Sequence, residues 1–412
     1  MACPHCSIPF GAGRLIWQRL WTVVLDSEPP LLLLGGDGLL GPRSGIGRMT
    51  AEVASRAAVH PDLAGVVLLM GGRVQPFRAD ILLQESPDSS QRTEPALLAS
   101  KLGEVAALSA VRNAWRRRRL RRSLLGLNPN RYRAVYHETN LISLPFDGPS
   151  CVSVHDLFGL TDPQFLPDDR RRWIERNLPR VLREASIFGC VSAFTAGELA
   201  RLFPEAAGRI RVVPQGVSPI FRPIEAAAGA STLAHYGLRD RSYIFVASTL
   251  EPRKNFARLQ RAFADLPASI RTHFPLVIAG GGGWGTALHR IPDGARLLGH
   301  VPDAALAALT ARAAVYAFVS EKEGFGLPIL EAMASDTPLL TSSGSAMEET
   351  AGGAAFLTDP LDIDAIREGL HRLLDDTALR DRLRNAGLAR AAGFTWEKTT
   401  NGLVSMWRAA CQ

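Results

Sequence analysis

The chain has 412 residues, 46% apolar, 21% charged and 7% aromatic, with 37 Gly and 27 Pro; at roughly 150 residues per domain it holds two or three domains, each able to bury a core. Disordered, collagen-like and low-complexity classes are excluded, because apolar residues are plentiful and the Gly and Pro are dispersed. The net charge of +7 is uneven: residues 1–223 hold 28 Lys and Arg against 20 Asp and Glu, and the rest hold 19 against 20.

In chain order, residues 1–29 read as an N-terminal extension. Cys3 and Cys6 have C-x-x-C spacing but no second ligand pair to complete a zinc site. Residues 10–25 are interrupted by Arg14 and Arg19 and lack a small-residue cleavage site, so they make a poor signal peptide. Trp17, Leu20, Trp21 and Val24 repeat at helical spacing, which suits an interfacial helix or a core helix alike. The run Pro30–Leu40, broken by Asp37, is far shorter than the roughly 18 apolar residues of a spanning helix. The five cysteines, Cys3, Cys6, Cys151, Cys190 and Cys411, are odd in number and mostly isolated, which makes no disulfide framework and fits a reducing, cytoplasmic setting.

Beyond the extension, strand-like runs alternate with helical ones. Strands are expected at Leu31–Leu34, Gly65–Met70, Ser150–Val154, Ile187–Cys190, Ile210–Val213, Tyr243–Ala247, Leu276–Ala279, Ala295–Leu298, Val315–Phe318, Pro338–Thr341 and Ala354–Leu357, with a helix at Met49–Val59 after the first. Such alternation implies α/β architecture with parallel, doubly wound sheets, and the series is too long for one sheet. Pro and Gly cluster at Pro214–Pro223 where the charge balance changes. The expected division is therefore 30–222, then 223–395, with residues 396–412 as a helix carrying Leu403, Met406 and Trp407 on one face. Two such domains would enclose a cleft lined by strand carboxyl ends, where ligands collect.

Arg116–Arg119 with Arg121 and Arg122, and again Arg170–Arg172, form basic runs. These suit an anionic membrane, a nucleic acid, or a solvated face. Aromatic residues are not interleaved beyond Trp115, which argues against nucleic acid.

The densest chemistry lies at Glu323-Gly324-Phe325-Gly326-Leu327-Pro328-Ile329-Leu330-Glu331. An apolar strand enters a Gly-rich turn, and Pro328 suits the first turn of the helix that follows. Two carboxylates flanking backbone donors suit a polyol ligand, although acids also favour a helix N-terminus for its dipole alone. Arg253 and Lys254 stand between a strand and a helix, where a diphosphate would meet both cations and a helix end. Gly45 and Gly47 precede another helix, but Thr50 occupies the third Gly or Ala position, so the dinucleotide fingerprint of a nicotinamide oxidoreductase is not met. P-loop, zincin and hydrolase-elbow motifs are absent. Asp362 and Asp364 match a D-x-D metal motif formally, yet read better as an N-cap with an acidic first turn.

These segments together resemble glycosyltransferase family 4. The E-x7-E stretch Glu323–Glu331 is joined, in family order, by Ser44–Arg48, Ser153–Leu157, Ser192–Thr195, Arg211–Val217 and Thr249–Asn255. The resemblance implies a GT-B fold, two Rossmann-like domains across a cleft, and a retaining hexosyltransferase acting on a nucleotide sugar without metal or other cofactor. It implies that Arg253 and Lys254 hold the diphosphate, and that His155 and Glu323 meet the transferred sugar. Glu331 would take the nucleotide ribose, with Gly45, Gly47, Gly324, Phe325, Gly326 and Leu327 binding the donor. His137 and Glu138, in Tyr136–Asn140, are similar to an acceptor-side segment of mannosyl and rhamnosyl members. The pattern is most similar to bacterial O-antigen and exopolysaccharide enzymes, implying GDP-mannose, or alternatively a UDP-sugar, and a lipid-linked or oligosaccharide acceptor. The enzyme would then sit peripherally on the inner face of the cytoplasmic membrane, with Arg116–Arg122 against anionic lipid. Ser345–Glu349 departs from the Pro-Glu pair of many relatives and leaves open which glutamate matters.

Overall fold

A computed structural model of the chain describes residues 28–40, 45–82, 106–127, 133–281 and 292–412. Cys3, Cys6, the Trp17–Val24 pattern and Ser44 lie outside the described residues. The described residues belong to two compact units, one built from Met1–Val152, Glu184–Ile187 and Val404–Gln412, the other from Ser153–Arg183 and Phe188–Leu403.

Seven strands form the first sheet: β1 (Leu31–Gly35), β2 (Gly65–Met70), β3 (Arg73–Pro76), β4 (Ala134–Glu138), β5 (Ser150–Val154), β6 (Ile187–Cys190) and β7 (Ile210–Val212), in the order β3-β2-β1-β4-β5-β6-β7. Strand β1 is LLLLG with every residue buried, as a parallel strand covered on both faces requires. It runs parallel to both β2 and β4. Strand β3 is an addition to the expected set, an antiparallel edge reached through Gly71 and Gly72, whose φ angles of 55° and 73° make the tight turn. Strand β4 also lay outside the expected set, because its Tyr, His and Glu conceal the pattern of a buried strand.

The second sheet comprises β8 (Ile244–Ala247), β9 (Leu276–Ala279), β10 (Ala295–Gly299), β11 (Val315–Phe318), β12 (Leu339–Ser342) and β13 (Phe356–Thr358), ordered β10-β9-β8-β11-β12-β13 and parallel throughout. Its two faces follow the two-residue strand period: Phe245, Tyr316 and Phe318 enter one core, while Ile244, Val246, Val315 and Ala317 enter the other. Each fully buried apolar side chain of this size contributes about 1.5–3 kcal/mol. The order places a topological switch point between β8 and β11, and a second one between β1 and β4 in the first sheet. Ligands of open α/β sheets bind outside the strand carboxyl ends at such points.

Candidate active site

At the β8 end the chain passes Glu251 into a single turn of 3-10 helix, Pro252–Lys254, and then Asn255 adopts φ 60° to start the helix Phe256–Ala264. Asparagine tolerates that left-handed conformation, and here its side-chain amide donates to the carbonyls of Val319 and Pro360 at 2.9 and 2.7 Å. The loop is thereby fixed to the end of β11.

From β11 the chain continues through Ser320–Gly326 into the helix Leu327–Ala334. The Glu323 carboxylate lies between Arg253 Nη1 at 2.7 Å and Lys254 Nζ at 2.5 Å, all three side chains 10–11% exposed. Glu251 accepts from Arg253 Nε at 3.1 Å. Arg253 stacks over the Phe158 ring at 4.5 Å and Lys254 over Phe318 at 5.2 Å. Aromatic faces attract such partly desolvated cations. Burial by itself would raise the Glu323 carboxyl, but Arg253 and Lys254 overcome that and hold it at about 2. Asp156, beside the same charges, moves the other way: burial and Glu323 push it up to about 7 against the pull of Arg253. Two neighbouring carboxyls thus differ in ionisation near neutral pH, because one has the cations as direct partners.

His155 follows β5, and its ring Nδ1 lies 3.1 Å from Gln215 Nε2. The backbone of Gly324 packs directly on the His155 carbonyl. A Cβ on Gly324 would stand 1.6 Å from that oxygen, so only glycine fits. The Gly324 carbonyl accepts from Ser192 Oγ at 2.6 Å and Thr195 Oγ1 at 3.0 Å, and the Phe325 carbonyl accepts from Thr350 Oγ1 at 2.6 Å. Gly326 takes φ 86° before the helix. Phe325 is buried with Val191 and Leu330, and Glu331 is 9% exposed on the helix.

The second unit therefore brings together Arg253, Lys254, Glu323 and the turn Gly324–Leu327 with His155, and carries Glu331 on the adjoining helix. Ser192, Thr195, Gln215 and Asp156 join them without having been assigned roles from the sequence. Ser192 caps the helix that follows by accepting from Thr195 N. Its reach to Gly324, 132 residues away, had no local signal. Of the two glutamates after Ser345, Glu349 accepts from the backbone N–H groups of Ala193 and Phe194, both at 2.8 Å, whereas Glu348 binds the backbone of Gly344. Glu349 thus caps the helix whose Ser192 and Thr195 hold the Gly324 carbonyl. A cavity of about 490 Å³ lies beside the turn, lined in part by Lys322, Asp162, Glu321, Gln164 and Asp359. Asp362 accepts from Asp364 N and Ala365 N, an N-cap geometry.

The other named residues lie in the first unit. Gly45 is exposed and Gly47 buried at the start of the helix Gly45–Ala57. His137 is fully buried, its Nδ1 accepting from Trp407 Nε1 at 2.5 Å. Glu138 stands at the β4 end against Gly35 and accepts from Tyr136 Oη at 2.5 Å, and burial pushes its carboxyl up to about 7. On the helix Ala106–Leu127, Leu120 and Leu124 enter the core and Arg117 is held by Asp147 and Glu184. Arg116, Arg118, Arg119, Arg121 and Arg122 are exposed, as are Trp115 and Leu125 at 58% each.

Two doubly wound sheets, one with a cation pair and a buried glutamate at its switch point, define an α/β protein of GT-B type. Solved structures agree: a glycosyltransferase involved in lipopolysaccharide biosynthesis, WaaG, superposes with a TM-score of 0.64 at 15% identity, and Anabaena Alr3699/HepE in complex with UDP-glucose with 0.65 at 16%. Each match covers 91% of this chain and 98% of the other. Residues 80–220 match the family model described as Glycosyltransferase Family 4, and residues 235–390 that of glycosyl transferases group 1. Over 375 residues the chain is 32% identical to the O-antigen chain mannosyltransferase B of Escherichia coli, covering 89% of this chain and 96% of that protein. The chain belongs to glycosyltransferase family 4, and it is a hexosyltransferase.

Proposed function

We propose that this enzyme moves mannose from GDP-mannose, with retention of anomeric configuration, to a lipid-linked or oligosaccharide acceptor in bacterial surface polysaccharide synthesis. The observation that carries the reading is the buried cluster of Arg253, Lys254 and Glu323 at the β8/β11 switch point. Similarity along most of the chain to an O-antigen mannosyltransferase supports the choice of sugar and of acceptor class.

In this reading Arg253 and Lys254 hold the donor diphosphate and stabilise the charge that grows on it as the anomeric C–O bond breaks. Glu323, the 324–327 backbone and His155 hold the sugar as it becomes oxocarbenium-like. The acceptor oxygen bonds the anomeric carbon on the face the diphosphate leaves, and its proton passes to the departing phosphate oxygen. Preorganised charges of this kind lower a barrier by several kcal/mol, since they need no reorientation during reaction. Glu331 accepts from the nucleotide ribose. The two side-chain cations serve where a divalent ion would otherwise neutralise the diphosphate.

Among the described residues no helix is long and apolar enough to cross a membrane. The exposed arginines with Trp115 and Leu125 bring the enzyme to the anionic inner leaflet, where a lipid-linked acceptor resides. Titration with GDP-mannose, GDP, UDP-glucose and UDP, followed by transfer assays with and without EDTA, tests the reading. Preference for UDP ligands overturns the donor, and loss of transfer in EDTA with rescue by Mn²⁺ overturns the metal independence.

A further inference from the structure

His155 stands at the end of β5, and Gln215 reaches it from a segment 60 residues away. Gln215 is only 3% exposed, and its loop is anchored on both sides. Thr399 Oγ1 donates to the Pro214 carbonyl at 2.8 Å, and Val217 N donates to Phe394 O at 3.1 Å. A Cβ on Gly216 would stand 2.3 Å from the Trp396 nitrogen, so the loop backbone lies directly on the start of the helix Trp396–Cys411. The His155 backbone is equally constrained, because the Gly324 backbone rests on its carbonyl. Both backbones are thereby held in place.

A neutral imidazole has one N–H and one lone pair, and the bond made by one nitrogen decides which atom carries the proton. The amide nitrogen of Gln215 is a donor only, so the Nδ1 it faces supplies the lone pair. We infer that Gln215 is a positioning residue that fixes His155 as the Nε2–H tautomer, making Nε2–H the ring's hydrogen-bond donor toward an oxygen of the bound sugar. The sugar contact rests on the function proposed above; the tautomer does not. A ring with its proton on Nδ1 would instead present Nε2 as an acceptor, so that a sugar hydroxyl would have to donate to it and its oxygen would receive no hydrogen bond from His155.

The test uses the full chain labelled with ¹⁵N-histidine, examined by long-range ¹H–¹⁵N correlation at about pH 8, where an ordinary histidine is neutral. His155→Asn identifies the His155 signals among the nine histidines. The parent protein should show protonated, pyrrole-type Nε2 and pyridine-type Nδ1. Gln215→Glu replaces the donor by an acceptor and should exchange the two patterns, while Gln215→Met, similar in shape but without a donor, should give an averaged pattern. Transfer from GDP-mannose should fall in Gln215→Glu by about tenfold or more in kcat, the scale on which partners of functional histidines act, with little change in donor KM. A parent His155 protonated on Nδ1, or an unchanged spectrum in Gln215→Met, overturns the inference. Full transfer activity in His155→Asn would instead remove His155 from the proposed reaction and leave the tautomer to be decided by the spectra alone.

Discussion

Glu323 and Arg253 form an ion pair of 2.7 Å in which each side chain is about a tenth exposed, 10% and 11%. Such a pair is costly to assemble, since both ions leave water, and costly to break, since removing one strands the other. Here the carboxylate is shared with Lys254, so one anion holds two cations at the place proposed for a diphosphate.

Glu323→Gln should act on both folding and reaction. Removing one partner of a buried ionic cluster costs about 3–5 kcal/mol, visible as a lower Tm in calorimetry. The kcat of the protein that remains folded should fall by roughly 10² or more, on the scale of lost preorganised charge. Glu331→Gln should instead weaken donor binding by about 1–3 kcal/mol, the cost of a hydrogen bond to a charged group. Equal, small effects of both changes would remove the distinction between sugar-facing and nucleotide-facing carboxylates.

Glycine substitutions should separate the Gly324–Leu327 turn from the surface. Gly324→Ala places a methyl 1.6 Å from the His155 carbonyl oxygen, so the turn has to move and transfer activity should be lost. Gly126→Ala, in the helix Ala106–Leu127, meets nothing within 4 Å and should stabilise by about 0.5–1 kcal/mol through helix propensity. Thermal melts and activity assays of the two proteins side by side would check the contrast.

The hydroxyls that hold the Gly324 carbonyl should matter jointly. Each of Ser192→Ala and Thr195→Val leaves one donor in place, whereas the double variant leaves a buried carbonyl unpaired at a cost of about 1–3 kcal/mol. Its kcat should fall more than the product of the two single effects. Strict additivity in the double-mutant cycle would mean that the two hydroxyls act independently.

Stability should bend with pH at two carboxyls, in opposite senses. Asp156 titrates at about 7 when folded, well above an ordinary aspartate, so between roughly pH 4 and 7 the folded state binds the extra proton and stability falls as pH rises. Asp156→Asn should flatten that fall, leaving the similar contribution of Glu138. Glu323, held at about 2, contributes stability that is complete above the ordinary glutamate range and is lost as pH drops through about 4 to 2. Urea unfolding at pH 3, 5 and 8 on the parent and on Asp156→Asn would reveal both slopes.

Replacing Arg118, Arg119, Arg121 and Arg122 by Ser spares Arg117, which Asp147 and Glu184 hold within the fold. The parent should bind anionic vesicles at low salt but not neutral ones, each surface arginine adding about 1 kcal/mol and losing it as salt screens the charge. The variant should lose that binding while keeping its Tm. Equal vesicle binding by parent and variant would make the arginines a solvated face.

Local pattern alone determined the doubly wound class, most of the strands and the loops that hold charge, because a buried parallel strand is a short apolar run and a helix start has its own punctuation. Arg253, Lys254 and the stretch Glu323–Glu331 could be named from sequence for the same reason: each is a compact motif between a strand and a helix. Strand β4 could not, since Tyr136, His137 and Glu138 are polar residues made compatible with burial only by partners such as Trp407, 270 residues from His137. Tertiary structure alone decided that Glu323 is shared by two cations, that Gln215 meets His155, that Glu349 rather than Glu348 caps the helix Ala193–Leu202, and that Asp156 and Glu323 titrate on opposite sides of the ordinary carboxylate range. All four depend on distances between residues far apart in the chain, and both electrostatic interaction and desolvation are functions of those distances rather than of sequence spacing.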